Sequence, residues 1–268
     1  MSKIGDAIQT LSSMEDLAAK VSPVHRIHAN VKILITFFYL IAVLSFHRYN
    51  LAGLMPYFIY PAMIIPLANI PFREILKRVL VALPFSLFAG ISNLIFDREV
   101  FSYLAQIPLT YGFISFWTLM VKTFLCVCAV LILVATTNSF TLFAQLRTFK
   151  IPKIFVLTLM MTYRYIFVLL QEAGNMMKAY ALRAPGEKGI QMKDMGSFVG
   201  QLLLRCIDRS EHVYAAMQCR GFSGEYVVGK KQKLDAYSMI WGITATGVFA
   251  FFRFFSIPQL MENLIQMI

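Results

Sequence analysis

Five apolar runs, at residues 31–46, 51–70, 79–96, 113–136 and 237–255, constrain this chain more than any other feature. A helix that crosses a bilayer needs about 20 mainly apolar residues, and each run approaches or reaches that length. Hydrophobic side chains make up 58% of the 268 residues and charged ones 15%. A soluble domain carries roughly a quarter charged residues, so this much apolar surface calls for lipid as its solvent. The expected fold class is an all-α integral membrane protein with about five transmembrane helices. Pro56, Pro61, Pro66 and Pro84 fall inside the runs. Membrane helices tolerate proline where neighbours re-satisfy the backbone. Residues 1–20 are polar and amphipathic, without the apolar core of a secretory signal.

A sixth apolar stretch, 154–170, is short and carries Arg164 near its middle, which costs a few kcal/mol on a lipid-facing helix. Charge decides how it is placed. Of the 25 Lys and Arg residues, 14 lie between Arg147 and Lys233, and others cluster before residue 33 and at 73–78. The positive-inside rule puts those segments in the cytoplasm. Four spans bring the chain back to the cytoplasm after Thr136, and a fifth crossing at 154–170 would place the most basic region outside. The stretch is therefore expected to be interfacial or covered by protein. Three parts follow: 1–136, an N-terminal cytoplasmic segment and four spans; 137–235, a cytoplasmic helical module; and 236–268, the last span and a tail. The location is a cell membrane, multi-pass, with the N-terminus and the module cytoplasmic. The net charge of +11 is spread over segments between apolar runs, not over a soluble aromatic-studded surface, so nucleic acid is no partner.

The module reads as two long helices. One runs over 153–184, stopped by Ala184-Pro185-Gly186; the other runs from about 192 to 219, stopped by Gly221 and Gly224. They end alike, in Ala181-Leu182-Arg183-Ala184 and in Gln218-Cys219-Arg220-Gly221. An exposed arginine at a helix tip can reach a partner's carboxylate with a bidentate fork, while small neighbours let the tip enter a groove. An arginine there also answers the negative end of its own helix dipole, and spacing alone does not separate the two roles.

Further residues identify a likeness. The run 22–34, SPVHRIHANVKIL, and Leu133-Val-Ala-Thr-Thr137 resemble signatures of the T components of energy-coupling factor transporters. The stretches 162–172, TYRYIFVLLQE, 179–185, AYALRAP, and 208–222, DRSEHVYAAMQCRGF, are similar to the cobalt-type, CbiQ-like members. The resemblance covers roughly residues 20 to 230. It implies a non-catalytic permease subunit of an ATP-driven importer, with cobalt as the implied substrate. Its partners would be two cytoplasmic ABC-type ATPase subunits, a membrane substrate-binding component and the lipid bilayer. It also implies that Ala181, Leu182, Arg183 and Ala184 on one helix, and Cys219, Arg220 and Gly221 on the other, dock the ATPases. Leu182 and Cys219 stand where the family pattern has alanine, and Ala184 where it has glycine.

Other features are weighed more briefly. Gly196 and Gly200 lie on one face of the second long helix, a spacing that permits close helix crossing. Arg164 is expected to anchor at the interface or to pair with Glu172, and Lys122 to snorkel to the outer surface. His25 and His28, three residues apart, are too few ligands for a metal site. Cys126 and Cys128 point in different directions on a helix and serve as small apolar filler. The segment 224–231, GEYVVGKK, nearly spells a phosphate-binding loop but lacks the closing Ser or Thr and a preceding strand. No cofactor, metal or catalytic residue is expected. Two other classes remain: a self-sufficient secondary transporter, which would show broken helices in two similar halves, and an intramembrane enzyme acting on an anionic substrate. The long module between unequal parts opposes the first. The lack of acidic or nucleophilic residues converging at membrane depth opposes the second.

Overall fold

A computed structural model describes residues 13–96, 100–104, 107–186, 189–224 and 235–254. Its helices are α1 (residues 13–18), α2 (Ala29–Leu44), a 3-10 stretch Ala52–Phe58 running into α3 (Ile59–Leu67), α4 (Phe72–Phe96), α5 (Tyr111–Thr136), α6 (Ser139–Gln145), a 3-10 turn Leu146–Phe149, α7 (Lys153–Arg183), α8 (Met192–Cys219) and α9 (Ala236–Phe254). The fold is helical, as the composition requires. One element was not legible in the sequence: an antiparallel hairpin of β1 (Val100–Leu104) and β2 (Ile107–Thr110), with Leu104 opposite Ile107 and an irregularity between Val100 and Ser102.

Two compact units share the chain, one of Leu17–Asn138 with Gln232–Ile268, the other of Met1–Asp16 with Ser139–Lys231. The first holds all five apolar runs. The run at 51–70 is not one α-helix. Pro56 lies inside its 3-10 turn and Pro66 inside α3, and each lacks the N–H that an α-helical ladder would use. The stretch ends on Asn69, with φ 53°, one of the few residue types that adopt the left-handed conformation readily.

By length and composition, three of the described helices are long and apolar enough to cross a membrane: Phe72–Leu94, Gly112–Thr136 and Lys153–Arg183. Ala29–Leu44 and Ala52–Leu67 are apolar but shorter. α7 thus meets the length criterion although the charge pattern argues against its crossing.

The core of the first unit forms where α2 packs against α5 and α9 and α4 packs along α5. Tyr39, Leu54, Tyr57, Leu125 and Ile132 are fully buried there. With no water to serve them, polar groups bond to backbone. Tyr39 donates its hydroxyl to the Tyr57 carbonyl (3.0 Å), and Tyr57 donates to the Phe249 carbonyl (3.1 Å). Thr36, Thr118, Thr123, Thr136 and Thr244 each donate to the carbonyl four residues back. Gly90 lets the ring of Phe116 lie against α4: a Cβ at residue 90 would stand 2.7 Å from Phe116 Cδ2.

The Lys122 ammonium donates to the Phe46 carbonyl at 2.5 Å, just past the end of α2. Arg253 of α9 reaches the same turn, donating to Ser45 and lying 4.8 Å over the Phe46 ring.

Candidate functional site

The second unit is built around α7 and α8. The sequence Lys150-Ile151-Pro152 opens α7, with Lys150 in the left-handed region (φ 61°) and Pro152 at the N-cap. Early in α7, Val156, Leu157 and Met160 are buried. Tyr163 packs edge-on against Phe140, Phe143 and Phe167, and its hydroxyl lies 3.1 Å from Ser139 Oγ. Later positions are mixed, as the sequence indicates.

Two polar ties join α7 to α8. Tyr180 donates its hydroxyl to Asp194 Oδ2 at 2.7 Å, and Arg205 pairs with Glu172. Glu172 therefore serves α8 and is not the partner of Arg164, which corrects one of the two roles expected for that arginine. The glycine pair is also placed differently from expectation. A Cβ built at Gly196 or Gly200 meets nothing within 4 Å, so α7 and α8 do not make a close crossing there. The two polar ties join them instead.

The two helix tips end by different backbone devices. In α8, Gly221 N–H bonds the Gln218 carbonyl (2.9 Å) and Phe222 N–H bonds the Met217 carbonyl (3.0 Å), with Gly221 at φ 80°. This is the Schellman closure, which needs a left-handed residue directly after the C-cap and so favours glycine. Arg220 occupies the C-cap itself (φ −92°, ψ 12°), and Cys219 is the last helical residue. In α7, Arg183 is the last helical residue. Ala184 caps it at φ −121°, ψ 67°, donating to the Tyr180 carbonyl (3.0 Å). No left-handed residue is required at position 184, so alanine serves where the other tip needs glycine. The left-handed turn comes two residues later, at Gly186 (φ 102°).

Both tips are open. Ala181, Leu182, Arg183, Cys219, Arg220 and Gly221 are exposed, Leu182 at 84%, while Ala184 is half-buried. Among the described residues neither Arg183 nor Arg220 forms an ion pair. Each guanidinium is available to an external carboxylate.

The remaining candidates have structural partners. His25 Nδ1 lies 2.7 Å from Ser22 Oγ, and its Nε2 donates to the Leu17 carbonyl at 3.1 Å. Burial holds its imidazole below the ordinary value of 6.5, and Lys32 and Lys20 add to the effect. His28 Nδ1 accepts from Asn30 N–H and caps the start of α2. Among the described residues no group of three His, Cys, Asp or Glu side chains is placed to hold a metal ion. Cys128 is buried and Cys126 half-buried. The loop-like segment at 224–231 falls almost wholly outside the described residues, as does the tail after 254. Sequence reasoning missed the ammonium groups that bind helix ends, because a lysine in an apolar run does not reveal which carbonyl it will meet.

The chain has relatives among known proteins. Residues 20–234 match the family model CbiQ, described as "Cobalt transport protein". The uncharacterized protein MJ1571 of Methanocaldococcus jannaschii is 28% identical over 201 residues, 69% of this chain and 68% of that one. The uncharacterized protein MJ1089 of the same organism is 27% identical over 74% of this chain and 77% of its own. The nickel permease LarQ of Lactiplantibacillus plantarum is 32% identical over 92 residues, 34% of each chain. With the family model matched across both long helices and their tips, the chain belongs to the CbiQ family of cobalt transport proteins.

Proposed function

We propose that this chain is the membrane coupling subunit of an ATP-driven importer for cobalt or nickel ions. Two cytoplasmic ABC-type ATPases dock on the tips of α7 and α8, and their motion on ATP binding is passed to a separate membrane subunit that holds the substrate. The observation that carries this reading is the pair of exposed, unpaired arginines at the C-termini of two long helices in one unit. A helix C-terminus is a favourable place for a cation. A cation there with no carboxylate of its own is equipped to meet one on a partner.

A further feature supports it. α8 buries none of its residues, and Met192, Val199, Leu203 and Ile207 form an exposed apolar stripe with Gly196 and Gly200. A stripe of that kind calls for a protein or lipid cover, and the two glycines suit it to a closely crossing helix from a partner. Cobalt comes from the family description and nickel from the name of the LarQ relative. The positive-inside reading adds a multi-pass plasma-membrane location, with the N-terminus and the α7–α8 unit in the cytoplasm.

The test is co-purification from membranes with the candidate ATPases and substrate-binding subunit, comparing the natural chain with Arg183→Glu, Arg220→Glu and the double variant. Each single change is expected to weaken ATPase retention, and the double change to abolish it while the chain stays folded in the membrane. Unchanged retention in the double variant would sink the docking role.

A further inference from the structure

The first unit encloses a cavity of about 190 Å³ bounded by residues of α2, α3, α5 and α9 together with the 3-10 stretch. Its walls are mostly aliphatic and aromatic. Ile59, Met63 and Val248 at its edge are 47%, 54% and 46% exposed, so the cavity opens sideways from the unit. In a membrane-embedded unit the medium at such an opening is hydrocarbon. An apolar cavity of ~150 Å³ already accepts a six-carbon ring, so this one holds about six or seven carbons of a chain.

Polar groups line only part of it. Among the described residues Lys32 is the one charged lining residue; Thr36 and Tyr60 are also in the wall. Among the described residues no carboxylate, imidazole or thiol lines the cavity. A divalent metal ion therefore finds a cation and no ligand set, and the cavity is unsuited to metal passage. The Lys32 ammonium, 7% exposed, donates to the carbonyls of Thr136 (2.7 Å) and His25 (3.4 Å). An ammonium has three donors, so one remains for a ligand. Lys20 and exposed Arg26 lie in the segment just before α2, which makes that end of the helix basic.

We propose that this cavity is a site for an anionic phospholipid, one acyl chain entering past Met63 and the phosphate resting at the basic end that includes Lys32. Hydrocarbon fills the wall that water would leave empty, and the headgroup supplies the anion that the uncompensated lysine favours. The proposal rests on the membrane placement of this unit and not on the coupling role of α7 and α8.

Trp241 lines the cavity, and the only other tryptophan is Trp117. In a Trp117→Phe background, Trp241 alone reports on the site. The full chain is reconstituted in phosphatidylcholine vesicles containing a minor fraction of brominated-chain lipid, either phosphatidylglycerol or phosphatidylcholine. The brominated anionic lipid is expected to quench Trp241 at about a five-fold lower mole fraction, the preference that one cation near an anionic headgroup supplies. Lys32→Gln should erase that preference. Ala245→Phe, which fills the cavity and leaves the lysine in place, should lower quenching by both lipids. Superimposable quenching curves for the two headgroups in the natural chain would overturn the site. So would a preference that survives Ala245→Phe undiminished. Should Lys32→Gln fail to fold, the headgroup comparison and Ala245→Phe decide the matter without it.

Discussion

Lys32 and Lys122 each carry an ammonium to the C-terminal end of the other's helix. Lys32 of α2 reaches the Thr136 carbonyl that ends α5, and Lys122 of α5 reaches the Phe46 carbonyl just past α2. Fourteen residues separate 32 from 46, and fourteen separate 122 from 136. At 1.5 Å per residue, each pair of contacts is about 21 Å apart along its helix. The two clamps are thus matched in span and fix the sliding register of two antiparallel helices. The Lys32 clamp also satisfies a carbonyl that the end of α5 leaves without a partner.

Replacing either lysine with methionine keeps the bulk and removes the clamp. Each change is expected to destabilise the first unit by about 1.5–3 kcal/mol, the range for a hydrogen bond to a charged group. Sites this far apart add to within about 0.5 kcal/mol when independent. Chemical denaturation in mixed micelles of the two single variants and the double one would check this. A double-variant loss well short of the sum would mean that one clamp depends on the other.

Gly90→Leu should force Phe116 from its place, costing about 1–3 kcal/mol through overpacking. Phe116→Ala in the same chain should recover part of that loss by making room. If the second change only adds damage, the α4–α5 contact is not what Gly90 protects.

The tips should respond unequally to exchanging glycine and alanine. Gly221→Ala places a Cβ in the left-handed region and is expected to cost about 1–2 kcal/mol. The cost should appear as faster hydrogen exchange over the last turn of α8 and weaker ATPase binding. Ala184→Gly, where φ is −121°, should change stability by no more than about 0.5 kcal/mol. Equal effects at both positions would refute the assignment of two different closures.

His25 predicts a pH dependence. Its folded pKa lies below 6.5 because burial disfavours the charged ring. Below 6.5 the unfolded chain therefore binds more protons, and stability falls as pH drops from about 6.5 towards the folded value. Above that window the group contributes no slope. Thermal unfolding across pH 5 to 8 should show the decline, and His25→Gln should flatten it. A slope of equal size in that variant would assign the effect to another group.

How much of this was legible depended on whether local sequence decided the outcome. The limits of α7 and α8 follow from long periodic runs ended by Pro or Gly, so reading them needed no knowledge of neighbours. The 51–70 run misled as to regularity because its prolines act on backbone hydrogen bonding, which hydropathy ignores. The hairpin at 100–110 was hidden because strands this short look like any loop. Both arginine tips were found from residue type and position, but the reason one has Ala184 and the other Gly221 lies in φ angles. Gly196 and Gly200 show the opposite case. Spacing marked a face suited to crossing, yet within the described chain no helix comes close enough to use it. Glu172 was given a partner by proximity in sequence. Its actual contact, Arg205, lies 33 residues away.

Ser139–Lys231 interrupts the first unit between α5 and α9, and both of those helices pack on α2. The amide of His28, just ahead of α2, is bonded by the Ser238 hydroxyl, and the Tyr57 hydroxyl is answered by the Phe249 carbonyl. A nascent chain emerges N-terminus first. α2 therefore waits, with one flank unfilled, until the ribosome has translated the whole inserted region. α9, made after that region, is the helix that seals α2, so a chain stopped after α2 but before residue 236 presents quality control with an unfinished seam, however well its other helices have formed.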